Sequence, residues 1–111
     1  MKNTPSARKA CESAARLCEG TPYLFRFRAD GDWLGAQLTT RREAPEYTPD
    51  LYFDPDWNAT DEVCVRVQTT SYGALNISEI ARVAAGLTEA ARLAEQLGNV
   101  FAAEGFEVHG R

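Results

Sequence analysis

The residues whose types best suit chemistry are acidic, and they lie in one stretch of the chain. Asp54-Pro55-Asp56-Trp57-Asn58 begins like a calcium-binding loop, in which oxygen ligands alternate along the backbone. The pattern then fails, because Ala59 stands where the loop needs glycine and Val65 where it needs a bidentate glutamate. The three cysteines and His109 show no paired ligand spacing of the kind that zinc sites use. The sequence therefore predicts no metal site and no cofactor.

Two side chains could take part in covalent or acid–base catalysis, and neither has a partner in the sequence pattern. His109, the single histidine, lies near the end of the sequence, where we expect the chain to fray. Cys64 would become a nucleophile if Arg66 stabilised its thiolate, but the neighbouring sequence supplies no general base. Because active sites bring several titratable groups together, we predict that the protein is not an enzyme.

The acidic residues are distributed unevenly, although the net charge of the chain is only −4. Residues 1–42 carry eight basic and four acidic side chains, whereas residues 43–65 carry seven acidic and no basic ones. Aromatic rings interleave with these acids, and carboxylates that steer a partner beside rings that anchor it are typical of protein-binding surfaces. The sequence predicts a partner-binding segment formed by Glu43, Glu46, Tyr47, Asp50, Tyr52, Asp54, Asp56, Trp57, Asp61 and Glu62.

The partner that this segment predicts is a protein with a basic surface, such as the surface with which another protein binds nucleic acid. The chain would then act as an inhibitor or regulator, by analogy with small acidic inhibitors encoded by phages and mobile elements. The net charge of −4 disfavours nucleic acid as a direct ligand. A small-molecule or metal-binding domain is a further alternative.

The main alternative is a surface for single-stranded RNA or DNA. Arginines beside a tryptophan on an open sheet resemble a platform on which bases stack. The predicted residues are Arg26, Arg28 and Trp33 of a β-hairpin, joined by Arg66 if the later strand shares the same face. Arg28 is expected to lie opposite Trp33, within reach of a cation–π contact.

These residues belong to one α+β domain, residues 1–111, in the order α-β-β-(β)-β-α. Apolar periodicity predicts a helix over 5–19, strands over 22–29, 32–39 and 63–70, and a long helix from 77 to 103. Residues 41–62 form a long acidic-aromatic loop or edge segment with a short strand near 51–53, and 106–108 adds a terminal strand. We expect a two-layer fold in which the N-terminal helix and the long C-terminal helix pack on one face of an antiparallel sheet of three to five strands.

The hairpin offers two positions for its turn, Asp30-Gly31 or, shifted by one residue, Gly31-Asp32. The first makes Phe27 face Leu34, and both keep the same side chains on the core face. We take Asp30-Gly31 as the turn.

The C-terminal helix would be about 40 Å long if continuous, which predicts a break at Gly86 or at Gly98-Asn99. Its apolar residues extend round more than half of its circumference, so the sequence also predicts a homodimer through 77–103. No segment has the length of a membrane span or the character of a secretory signal. An odd number of cysteines without paired spacing favours reduced thiols, and we predict a cytoplasmic protein that does not bind membranes.

Overall fold

A computed structural model describes residues 1–55, 61–69 and 71–110. Within these ranges the helices are α1 (Pro5–Cys18) and α2 (Ile77–Ala103). The strands are β1 (Tyr23–Asp30), β2 (Trp33–Thr40), β3 (Asp50–Pro55), β4 (Glu62–Gln68) and β5 (Glu107–His109). This order confirms the α+β class, and neither helix has the length and apolar character that a bilayer span requires.

Helix α1 begins and ends where its sequence predicts. The Thr4 hydroxyl accepts a hydrogen bond from the backbone N–H of Ala7 at 3.1 Å, and Pro5 occupies the first helical position. Gly20 follows the helix with φ 72°, a conformation that favours glycine. The apolar stripe of the helix is buried, and it consists of Ala7, Ala10, Cys11, Ala14 and Cys18.

Strands β1 and β2 form the predicted hairpin, but its turn lies at Gly31-Asp32. Asp30 pairs with Trp33 and Phe27 with Ala36, so each residue of β1 has a partner two positions further along β2 than the Asp30-Gly31 turn implies. Each side chain of the hairpin stays on its predicted face, because a change of partner by two residues preserves the alternation along the strand. The core face is buried as expected at Tyr23, Phe25, Leu34 and Leu38.

The first three residues of the chain explain why the turn takes this position. Asn3 donates its backbone N–H to the carbonyl of Asp32, and Leu34 donates to the carbonyl of Met1, both at 2.8 Å. The Asn3 side chain also donates to the carbonyl of Gly31, which has φ 60°. These long-range bonds hold the turn residues Gly31 and Asp32 and the start of β2 in place, and turn propensity alone could not reveal them.

The strands in the described ranges form two sheets, β1–β2 and β3–β4–β5, which lie side by side. The Thr40 hydroxyl donates to Asp50 at 3.0 Å, and β2 and β3 together line a cavity of about 270 Å³. Strand β5 pairs with β4 in parallel, whereas an antiparallel sheet was predicted. The reason is that α2 connects the two strands, and a helix crossover returns the chain in the same direction.

Helix α2 is continuous over 27 residues, so the predicted break at Gly86 or Gly98-Asn99 is wrong. A Cβ at position 86 would lie 3.3 Å from Cδ of Pro49 and 3.5 Å from the carbonyl oxygen of Tyr47. Gly86 therefore lets the segment between β2 and β3 approach the helix. The predicted cap at Asn76 is confirmed, because its side chain accepts from the N–H of Glu79 while the Glu79 carboxylate accepts from the N–H of Asn76.

Only the second half of α2 reaches the core. Its buried residues begin at Ala90 and continue with Leu93, Leu97, Gly98 and Phe101. The first half carries exposed apolar residues, Ile77 at 87% and Ile80 at 53% exposure. The molecule is accordingly elongated, with extents of 49 × 24 × 20 Å.

Tyr23 has a buried hydroxyl that joins β1 to the start of β3. It is 1% exposed, and its hydroxyl donates to the carbonyl of Pro49 at 2.5 Å. Burial, with the negative charges of Asp50 and Glu89 adding to it, raises the pKa of Tyr23 from 10.0 to about 12. Ionisation of this side chain is therefore easier in the unfolded chain than in the folded protein.

We expect the free energy of unfolding to fall as the pH rises from 10 to 12. Below pH 10 Tyr23 is neutral in both states and its contribution is complete, and the two-unit pKa difference corresponds to a loss of about 2–3 kcal/mol by pH 12. Urea unfolding at several pH values measures this decline. Tyr23→Phe should be less stable by about 1 kcal/mol at pH 8 and should decline less steeply above pH 10. Parallel declines for the two proteins would contradict the assignment to Tyr23.

Candidate functional site

Within the described ranges, the three-stranded sheet has one face that no helix or strand covers, opposite the helices, and its side chains are mostly polar. Strand alternation directs Leu51, Phe53, Val63 and Val65 into the core and the intervening residues outward. We call the outward surface the acidic sheet face. Its residues are Asp50, Tyr52 and Asp54 of β3, Glu62, Cys64, Arg66 and Gln68 of β4, and Glu107 and His109 of β5.

Tyr52 lies among acids on this face and keeps 46% of its surface exposed. Its hydroxyl donates to the carboxylate of Asp54 at 3.2 Å, and this hydrogen bond is the main cause that raises the pKa of Tyr52. On the other side, Asp50 is held by the Thr40 hydroxyl. The three side chains Asp50, Tyr52 and Asp54 therefore form an ordered acidic-aromatic group on β3.

Other residues of the predicted segment lie elsewhere. Glu43 and Glu46 are exposed in the connection between β2 and β3, and Tyr47 is half-buried against α2. The Tyr47 hydroxyl donates to the Glu79 carboxylate, and its ring meets the ring of Tyr72 edge-on at 5.6 Å. This hydrogen bond raises the pKa of Tyr47 and lowers that of Glu79. Tyr47 thus holds its segment on the helix.

The remaining predicted residues lie at the start of β4 or outside the described ranges. Asp61 is exposed, and its carbonyl accepts from the backbone N–H of Glu107 at 2.9 Å. Glu62 begins β4 on the acidic sheet face. Asp56 and Trp57 lie outside the described residues, as does most of the calcium-loop pattern. The described part of the segment is therefore divided between the acidic sheet face and the surface beside α2.

The residues of the alternative nucleic-acid surface are separated in the same way. Arg26 and Arg28 are exposed on β1, and Trp33 of β2 is 48% exposed. Arg28 pairs with Gly35, so the predicted position of Arg28 opposite Trp33 is wrong and follows the shift of the turn. Arg66 pairs with Tyr52 on the far side of β2 and β3. Acidic β3 therefore lies between Arg66 and the hairpin arginines.

His109 lies in a strand, where fraying was expected from its position in the sequence. In the parallel register Glu62 pairs with Glu107, and Cys64 pairs with His109. His109 Nε2 is 3.7 Å from Glu62 Oε2 and 4.0 Å from Glu107 Oε1. The sequence spacing predicts only that Glu107 and His109 lie on the same face of a strand, because they are two residues apart. Glu62 lies beside them because the connection through α2 places β5 parallel to β4.

The cysteines differ sharply in accessibility. Cys11 and Cys18 lie on the buried face of α1, and burial raises their pKa values to about 12 and about 11. Cys64 is half-buried on the acidic sheet face, where His109 is its neighbour on β5. The sequence places no base next to Cys64, but the fold brings His109 beside it. His109 Nε2, however, is directed toward the carboxylates of Glu62 and Glu107.

Comparison with known proteins finds no matching family model, no matching curated protein and no matching solved structure.

Thiol labelling should separate the cysteines. In the native protein at pH 8 we expect one of the three thiols to react readily with Ellman's reagent, and all three to react in guanidinium chloride. Cys64→Ser should abolish the rapid native reaction. Rapid reaction of Cys11 or Cys18 in the native state would contradict the burial described for α1.

Proposed function

We propose that the protein is a non-enzymatic protein-binding module that docks its acidic sheet face on a basic surface of a partner protein. The observation that carries this proposal is the group Asp50, Tyr52 and Asp54, which projects from the sheet face opposite the helices. A half-exposed tyrosine is an amphipathic anchor, since it can bury its ring and still satisfy its hydroxyl. Flanking carboxylates attract a basic partner and set its orientation.

The hydrogen bond from Tyr52 to Asp54 and the one from Thr40 to Asp50 support this role. Both restrict side chains that would otherwise lose rotamer freedom on binding. Preorganisation of this kind lowers the entropic cost of association. The acidic-aromatic group is therefore better suited to binding than an acidic loop of the same composition.

The charges of the open surface favour a protein partner over a nucleic acid. The acidic sheet face carries Asp50, Asp54, Glu62 and Glu107 against one arginine, Arg66. Phosphates would meet repulsion there, and the two hairpin arginines alone form a small footprint. A basic partner surface that normally binds phosphates could instead bind the carboxylates of the acidic sheet face. We therefore propose an inhibitor or regulator of a nucleic-acid-handling protein in the cytoplasm, where its three cysteines would stay reduced.

Capture from an extract of the native host, with and without charge substitutions, tests this function. Asp50→Asn with Asp54→Asn should lose a basic partner that the wild-type protein retains, and should weaken its affinity about tenfold or more. Glu12→Gln with Glu95→Gln is the matched control, because it removes the same charge from exposed helix positions. Tyr52→Ala should weaken binding without changing the salt dependence.

Equal retention of the partner by the Asp50/Asp54 variant and the wild type would contradict the proposal. A titration of the wild type with fluorescent single-stranded oligonucleotides at low salt tests the alternative. We expect no binding there, and binding that Arg26→Ala and Arg28→Ala abolish would favour the nucleic-acid function.

The exposed half of α2 supports a second proposal, a homodimer formed by this helix. Its outward apolar residues alternate at spacings of three and four, the repeat of a coiled-coil seam, along Ile77, Ile80, Ala84, Leu87 and Ala91. Ile77 is 87% and Ile80 53% exposed, Ala84 and Ala91 are also exposed, and Leu87 is half-buried, so within the described part of one chain most of this stripe is uncovered. A second copy presents an identical stripe, which a twofold axis can pair with the first.

Sedimentation at about 100 µM tests this pairing. We expect a dimer for the wild type and a monomer for Ile80→Glu, because a charge would be buried in the seam. Ser78→Glu is the control, since it adds the same charge two residues away and off the stripe. A monomeric wild type at this concentration would contradict the proposal.

A further inference from the structure

The parallel pairing of β4 and β5 brings three metal-ligating side chains to one point of the acidic sheet face. The donor atoms of Glu62, Glu107 and His109 all lie within 4.8 Å of one another. The three residues come from two neighbouring strands in fixed register. We propose that they form a binding site for a divalent transition metal, with Zn²⁺ as the best fit. This site does not depend on the protein-binding function proposed above.

The distances match a metal site that closes by small side-chain rotations. Zinc–nitrogen and zinc–oxygen bonds are about 2.0–2.2 Å long, so two ligands on one tetrahedral ion lie about 3.4 Å apart. His109 Nε2 is 3.7 Å from the Glu62 oxygen and 4.0 Å from the Glu107 oxygen. The His109 and Glu107 side chains are 49% and 66% exposed, so they have room to turn. The backbone can remain where it is.

The backbone beneath the site is well held. Glu107 donates its N–H to the carbonyl of Asp61 at 2.9 Å, next to the first ligand. The residues that follow Glu62 and Glu107 point the other way, with Val63 1% exposed and Val108 half-buried. Phe106, just before β5, is 8% exposed and packs on Phe101. The backbone positions of the ligands are therefore set before any metal arrives, and only side-chain rotations remain to be restricted on binding.

The donor set selects the class of metal. One imidazole nitrogen and two carboxylates suit zinc and neighbouring transition metals, whereas Ca²⁺ and Mg²⁺ prefer oxygen ligands alone. Two negative carboxylates balance the charge of the dication. Three protein ligands leave one tetrahedral position for water or for a group on a partner. A bound ion would also tie β5 to β4 and so stabilise the C-terminal strand.

Zinc binding by the untagged, metal-free protein tests the proposal directly. Isothermal titration with ZnCl₂ should give one site per chain with micromolar or tighter affinity, and Zn²⁺ should raise the melting temperature. Because His109 is the single histidine, NMR of its ring nitrogens should report direct ligation of Nε2. Millimolar Mg²⁺ or Ca²⁺ should neither raise the melting temperature nor change the NMR signals of the His109 ring nitrogens.

Variants identify the ligands. His109→Ala, Glu107→Gln and Glu62→Gln should each weaken zinc binding at least about tenfold. Glu95→Gln and Cys64→Ser should bind as the wild type does, the latter because the neighbouring thiol is not among the three ligands. Circular dichroism would verify that each variant is folded, and Glu107→Gln, at an exposed position, provides a conservative test.

Three outcomes would overturn the site. They are wild-type affinity weaker than about 1 mM, unchanged affinity in both His109→Ala and Glu107→Gln, or loss of binding in Cys64→Ser.

Discussion

A cluster of four phenylalanines holds the molecule together across a gap in its hydrogen bonding. The two sheets of the described chain share no backbone ladder, so side chains must join them. Phe25 of the hairpin meets Phe53 of β3 edge-on at 5.1 Å, and Phe101 of α2 packs on both, at 6.3 and 5.1 Å. Phe106 completes the cluster at 5.3 Å from Phe101. Burial of these rings gives both sheets and the long helix one common core.

This packing explains where the open surfaces lie. Phe101 lies near the C-terminal end of α2, so the helix is anchored at that end and its first half extends beyond the sheet. The first half is then held through Tyr47 and Gly86, which bring the connection between β2 and β3 onto it. Because both helices pack on the phenylalanine side, the opposite sheet face is left to polar residues. The candidate sites are consequences of this one-sided packing.

The sequence predicted the alternation of side chains better than it predicted long-range pairing. The faces of the hairpin, the cap at Asn76 and the stripe of α1 follow from local periodicity and capping, and all are confirmed. Bonds from Met1 and Asn3 hold the turn at its observed position, and Gly86, which resembles a helix break in the sequence, instead gives Pro49 room beside a continuous helix. Such contacts between distant segments leave no periodic signal in the sequence.

The same limit applies to the sites. The acidic-aromatic composition of residues 43–62 is visible in the sequence. The sequence does not show that some of these residues lie beside α2 and others on the sheet. Tyr47 and Tyr52 have similar sequence surroundings. The Tyr47 hydroxyl, however, holds the connection between β2 and β3 on α2, whereas the Tyr52 hydroxyl lies on the acidic sheet face. The cluster around His109 requires the parallel crossover that brings Glu107 beside Glu62. Pairing across a crossover is decided by tertiary packing.

The division of charge on the open surface limits how a basic partner could approach. Arg26 and Arg28 on the hairpin would repel it, whereas Asp50 and Asp54 on β3 would attract it. The partner would therefore be directed toward β3, β4 and β5 and away from the hairpin, and Tyr52 lies near the boundary. A dication held by Glu62 and Glu107 would offset two of the carboxylates on that side and so reduce the attraction. The metal site and the docking surface would then oppose each other through charge alone, without any change in the fold.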